Sequence, residues 1–308
     1  MKLFKYLIYI SPIFIFIIVS SIHDLNKSQL GSRVNPIRLY FTPSVDTKRI
    51  STNASELVAF LEKETGLYFT TAVPTSYVAV VEAFGTKKAD IAGINTFSYL
   101  MAHQKYGAEA RLRIVREGGS TTYKGQFLSR EGSGIDSIQN IAGHSIAYVD
   151  PSSTSGYVLP RAILLKLRIK PSEEVFAMKH DNVVMMVYQK QVDCGATYYS
   201  DPNPKTGEIM DARMWVKRQF PDVEKKVKII GFTQEIPNDP FVFRKDLPEE
   251  IKEKVVRALL KFVSTEKGRK SLFEIYDAVG LIRTKDNDYD VLRKMLKEQH
   301  ISLSGKNY

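Results

Sequence analysis

YVAVVEAFGTKKADIAGI (77–94) decides the fold. YVAVVEAFGTKK has the apolar spacing of a short helix, and ADIAGI is a brief apolar run of strand character. Upstream, IRLYF (37–41) is strand-like. In SELVAFLEKETG (55–66), Leu57, Phe60 and Leu61 share a helical face and Gly66 stops the helix, after which YFTTAV (68–73) forms a second strand. The order is βαβαβ, which predicts an α/β fold.

Downstream the alternation continues. FSYLMAHQKYG (97–107) predicts a helix, LRIVRE (112–117) a strand, and GGSTTYKGQFLSR (118–130) a bend that runs into an extended segment. HSIAYV (144–149) is a strand ending in DPSSTSG (150–156). An apolar stretch follows to Leu167, then a helix in KHDNVVMMVYQKQ (179–191) and a buried strand in VDCGATYY (192–199). KVKIIGF (226–232) leads into EIPNDPFVFRKDLP (235–248), where Pro237 and Pro240 forbid helix and favour a second extended crossing. From Glu249 to about Leu296 the pattern is mostly helical with charged outer faces. The expectation is two α/β lobes joined by two crossings, residues 24–123 with 232–308 forming one and 124–231 the other, with a cleft between them.

Composition excludes several classes. The 308 residues are 44% hydrophobic and 25% charged, with 18 Gly and 13 Pro, which fits a folded protein and not a disordered or collagen-like one. One cysteine, Cys194, forbids an internal disulfide, and with five scattered His it leaves no Cys-rich zinc site. Lys2 and Lys5 precede an apolar run from Tyr6 to Ile22 that contains no acid or amide. Residues 1–23 therefore form an export signal or an uncleaved anchor, and the chain is expected in the periplasm or another extracytoplasmic space. Net charge is +10, or +8 without Lys2 and Lys5. Lys and Arg are dispersed over helix faces, so a solvated basic surface is expected and nucleic-acid binding is not.

DPSSTSG is the strongest local feature. Small hydroxyl residues between a strand and a helical stretch can turn O–H and free N–H groups toward one tetrahedral oxyanion, although the same residues would also serve a plain N-cap and turn. His180, at the start of a predicted helix, is either a capping residue or a donor to that anion. Tyr77 and Tyr123 sit at element boundaries, and Asp239 sits between Asn238 and Pro240 as a turn former or a cleft carboxylate. A hydrolase would combine Ser152, Ser153 or Ser155 with His180 and an Asp, but no G-x-S-x-G, Walker A or H-E-x-x-H motif is present.

Taken in order over about residues 34–281, these segments resemble the periplasmic phosphonate-binding protein family, the substrate-binding components of phosphonate and phosphite ABC importers. The quoted segment 77–94, TTYKGQFLSR, DPSSTSG-Y-x-x-P, KHDNVVMMVYQKQVDCGAT and IPNDPFVFRKDLP carry the resemblance. It implies a two-lobed type II periplasmic-binding-protein fold that closes on a small phosphorus oxyanion and delivers it to an ABC permease, without catalysis, cofactor or metal. Ser153, Thr154 and Ser155 would hold the phosphonate oxygens with His180. Tyr77 and Tyr123 would donate from the other lobe and the hinge, and Asp239 would lie on the substituent side. Where family members that prefer an amino-bearing ligand carry a Glu, this chain reads TYYSD (197–201), which leaves phosphite, methylphosphonate or a related anion open. Two alternatives are an anchored sensor ectodomain of the same fold and, more remotely, a phosphoesterase.

Overall fold

The computed structural model describes residues 29–303, so the expected export signal or anchor lies outside the described residues. The opening unit is β1 (Ile37–Phe41), α1 (Thr47–Thr65), β2 (Phe69–Ala72), α2 (Tyr77–Gly85) and β3 (Ile91–Gly93). Asp46 caps α1 by accepting from the Arg49 N–H, and Gly66 ends the helix in the left-handed conformation that glycine adopts without Cβ strain. Ile50, Ala54, Leu57 and Leu61 form its buried stripe.

The first sheet continues with α3 (Thr96–Tyr106), β4 (Glu109–Val115), β10 (Pro240–Phe243) and β11 (Gly280–Arg283), in the order β11-β4-β10-β3-β1-β2. β1 pairs in parallel with β2 and β3, whereas β10 and β11 run antiparallel to their partners. The helices α8 (Glu249–Ser264) and α9 (Glu266–Tyr276) pack their apolar faces on this lobe. Asp90 is fully buried at its centre and accepts from Arg38 Nε at 2.7 Å and Arg244 Nε at 3.1 Å. The Asp of ADIAGI is therefore a structural clamp, and its carboxylate is paired as a buried charge requires.

The second sheet comprises β5 (Thr122–Arg130), β6 (Ser145–Tyr148), β7 (Glu173–Phe176), β8 (Cys194–Tyr199) and β9 (Val227–Pro237), in the order β7-β6-β8-β5-β9. Its helices include α4 (Leu159–Lys166), α5 (His180–Tyr188), α6 (Arg213–Lys217) and α7 (Val223–Lys226), and α10 (Asp290–Glu298) closes the described chain. The molecule is thus a two-lobed α/β fold. The chain passes between sheets after Val115 and again between Pro237 and Pro240. The expected lobe divisions at 123/124 and 231/232 fall inside β5 and β9. The stretch expected to be mostly helical also holds β11, a four-residue edge strand ordered by antiparallel pairing with β4. Among the described residues no helix is long and apolar enough to cross a membrane.

Candidate functional site

In open α/β sheets, ligands bind beyond the carboxyl ends of the parallel strands. Here both sheets turn such ends toward one cavity of about 40 Å³. A single water needs about 10–15 Å³ by the same measure, so the space suits one small polyatomic ion. From the first lobe come Ser44, Tyr77 and Asn95, in loops and helix starts that follow β1, β2 and β3. From the second come Ser153, Ser155 and His180, after β6 and β7.

The 150–156 loop is shaped by its own side chains. Asp150 Oδ1 accepts from Ser152 N at 2.7 Å, and Ser153 Oγ accepts from Gly156 N at 3.1 Å, capping the single π-helical turn Thr154–Val158. Such turns often mark functional sites. A Cβ at position 156 would lie 2.4 Å from Val149 Cγ2, so only glycine fits there. Ser152, Ser153, Thr154 and Ser155 are all buried.

Of the seven residues singled out from sequence, Tyr77, Tyr123, Ser153, Ser155, His180 and Asp239 line the cavity. Thr154 takes another place. Its Oγ1 donates to Asn95 Oδ1 at 2.8 Å and accepts from Phe97 N at 2.9 Å, which ties the loop to the start of α3 in the opposite lobe. Tyr77 N and Asp150 Oδ2, 3.4 Å apart, and His180 N donating to Ser44 O at 3.0 Å are further ties between lobes. The lobes are therefore closed on each other.

The Tyr77 hydroxyl is buried and has no hydrogen-bond partner. Leaving such a group unpaired costs about 1–3 kcal/mol, so the cavity wall carries a donor that no protein acceptor satisfies. Burial, reinforced by Asp150 and Asp239, raises its pKa well above the ordinary phenol value and keeps it protonated. Tyr123 O–H donates to Asp239 Oδ1 at 3.4 Å, and Thr96 Oγ1 lies 3.2 Å from the same oxygen. Burial pushes the Asp239 carboxyl up to about 6, while Arg116 and these hydroxyls pull it down. His180 Nδ1 sits 2.6 Å from Thr197 Oγ1, and the ring packs edge-on against Tyr198 at 5.0 Å. Burial and then Arg116 lower the imidazole to about 3, so it is neutral near pH 7.

Sequence reasoning missed several lining residues. Arg116, at the end of β4, is 5% exposed and lies over the rings of Tyr123 and Tyr198 at 4.9 and 5.3 Å. It pairs with Asp277, whose Oδ2 accepts from Arg116 Nη1 at 3.0 Å. Trp215, the chain's single tryptophan, also lines the cavity. It donates from Nε1 to Tyr198 Oη at 2.8 Å, with the Arg49 guanidinium 3.8 Å over its ring. No motif surrounds these residues in the sequence; only the general tendency of a lone Trp toward burial singles one out. Among the described residues no group of His, Cys, Asp and Glu is arranged to hold a metal.

Residues 39–289 match the family model described as the phosphonate periplasmic substrate-binding protein of ABC transporters. A phosphate-import protein PhnD from Mycolicibacterium smegmatis is 26% identical over 175 residues, 53% of this chain and 54% of that protein. The phosphonates-binding periplasmic protein of Escherichia coli is 24% identical over 212 residues, 67% of this chain and 60% of its own. The chain thus spans little more than half the length of these curated relatives. Among solved structures, a binding-protein component of a phosphonate ABC transporter from Pseudomonas aeruginosa superposes with TM-score 0.76 at 18% identity, covering 86% of this chain and 87% of the other. PhnD1 from Prochlorococcus marinus, solved with methylphosphonate, gives 0.70 at 15% identity, with 86% and 98% covered.

Proposed function

The chain belongs to the family of periplasmic substrate-binding proteins of phosphonate ABC transporters, and from that premise we propose that it captures a small phosphorus oxyanion between its lobes. The observation that carries the reading is the unpartnered, buried Tyr77 hydroxyl on the same small cavity as the hydroxyls of Ser153 and Ser155 and the neutral imidazole of His180. These groups can supply neutral donors to three oxygens without a metal, with dipoles at the helix start adding to the field. Asp239 is placed to accept from a protonated ligand oxygen and to repel a fully deprotonated one.

Ligand capture fits these residues better than turnover, since His180 Nδ1 is held by Thr197, burial leaves the imidazole a weak base, and Asp239 faces hydroxyls and not an imidazole. The lobes would divide at residues 116–121 and 238–239, where the chain leaves one sheet for the other. The partner in this reading is an ABC permease that accepts the ligand when the lobes open, and the location is extracytoplasmic. The test is titration of Tyr77→Phe with methylphosphonate and phosphite. Affinity at least fivefold weaker than wild type, with unchanged circular dichroism, supports the reading, and unchanged affinity removes Tyr77 from the site.

A further inference from the structure

Arg116 and Asp277 form a half-closed fork. Arginine and carboxylate commonly pair through two parallel hydrogen bonds. Here Nη1 takes Asp277 Oδ2 at 3.0 Å together with the carbonyls of Asp277 and Tyr276 at 3.3 and 3.4 Å, and Nε reaches Asn238 Oδ1 at 3.2 Å. Nη2 has no hydrogen-bond partner among the described residues. On the other side of the pair, Ser200 Oγ shares Oδ2 at 3.2 Å, whereas Asp277 Oδ1 is buried and unpartnered. Both residues line the cavity, and their side chains are 6% and 3% exposed. One donor of Arg116 and one buried acceptor of Asp277 are thus left over at the proposed site.

We propose that the open arm of the Arg116–Asp277 pair recognises a hydroxyl on the ligand's phosphorus substituent, so that the protein selects a hydroxyl-bearing phosphorus oxyanion over an alkyl one. This rests on the oxyanion reading above and narrows its substrate class. A hydroxyl accepts from Nη2 and donates to Oδ1. An alkyl group does neither: it gives Nη2 no acceptor and leaves Asp277 Oδ1 buried and unpaired, worth about five- to a hundredfold in affinity. An ammonium offers Nη2 no acceptor and is repelled by the guanidinium. Burial raises the Asp277 carboxyl to about 8, and a hydroxyl can pair with Oδ1 in either protonation state because it both donates and accepts. The small cavity favours a substituent of one or two heavy atoms.

The test uses two isosteric pairs titrated calorimetrically into the purified chain: phosphate against methylphosphonate, and hydroxymethylphosphonate against ethylphosphonate. The hydroxyl member is expected to bind at least fivefold more tightly in one pair, and that pair fixes the reach from phosphorus to the open arm. A smaller preference in both pairs, or preference for the alkyl members, overturns the inference while leaving the oxyanion reading intact. Failure of all four to bind overturns the inference, and failure of phosphite as well overturns the oxyanion reading. In the double variant Arg116→Met with Asp277→Asn, the preference should collapse below twofold. Asn is well suited to the left-handed backbone at position 277, where φ is 53°. A folded double variant that keeps the wild-type preference assigns the selectivity to other residues; should it fail to fold, the wild-type pairs alone decide.

Discussion

Thr154 Oγ1 donates to Asn95 Oδ1 at 2.8 Å across the cleft, and the same hydroxyl accepts from Phe97 N at 2.9 Å. One side chain of the anion-loop sequence thus reads whether the opposite lobe is in place. Its neighbours Ser153 and Ser155 line the cavity, so in the proposed reading ligand contact and closure are coupled through three consecutive residues, Ser153, Thr154 and Ser155. Each lobe holds only part of the donor set, and affinity includes the free energy of bringing the parts together.

Thr154→Ala should therefore weaken ligand affinity by about 1–3 kcal/mol without unfolding the protein. Asn95→Ala should act through the same contact. A double-mutant cycle on affinity is expected to show coupling of about 0.5–1.5 kcal/mol. Strictly additive losses would mean that the two side chains act independently.

Trp215 packs against both Arg49 of the first lobe and Arg218 of the second, their guanidinium carbons 3.8 and 4.7 Å from its ring centroid. As the chain's single tryptophan, it makes intrinsic fluorescence a reporter of closure. Saturating ligand should shift its emission, and Arg49→Ala should change the ligand-free spectrum toward that of a more solvated indole. An emission spectrum unchanged by a ligand whose binding is seen calorimetrically would show that closure does not move this contact.

Asp239 should discriminate against oxyanions that carry no proton, because its carboxylate repels a ligand oxygen that cannot donate to it. Asp239→Asn can donate as well as accept. Its sulfate affinity relative to methylphosphonate is expected to rise at least tenfold, measured by competition. An unchanged ratio would place the discrimination elsewhere.

The buried titratable groups set a pH dependence of stability in the ligand-free protein. Asp277 is raised to about 8 from 3.8 and Asp239 to about 6 from 3.8, so the folded chain binds more protons than the unfolded one between those values, and stability falls as pH rises through them. His180 is lowered to about 3 from 6.5, so its contribution rises with pH between those values and is complete above them. Above about pH 7 Asp277 dominates the titration of the three. Stability should fall by up to about 2 kcal/mol between pH 6.5 and 8. Asp277→Asn should flatten that slope in urea unfolding, and an equal slope in the variant would contradict the assignment.

The parts legible in the sequence are those set by local chemistry. Ser and Thr after a strand announced a loop of hydroxyls, glycine at 66 announced a helix end, and Pro237 and Pro240 announced a crossing. β7 and β11 escaped because four residues at a sheet edge take their strand identity from a partner, Glu173–Phe176 from β6 and Gly280–Arg283 from β4. Arg116 read as the charged end of LRIVRE, since its burial depends on Asp277, 161 positions away. Asp277 itself looks like an ordinary residue after a helix. Thr154 was legible as part of the loop, but its engagement with Asn95 depends on how two lobes meet.

Isothermal titration of the purified chain, freed of carried-over ligand, tests the central claim most directly, with phosphite, methylphosphonate, 2-aminoethylphosphonate, phosphate and sulfate as ligands. The account predicts one-to-one binding of at least one phosphorus oxyanion, at least tenfold tighter than sulfate. Binding of none of them, or of sulfate as tightly as the best phosphorus oxyanion, would contradict it.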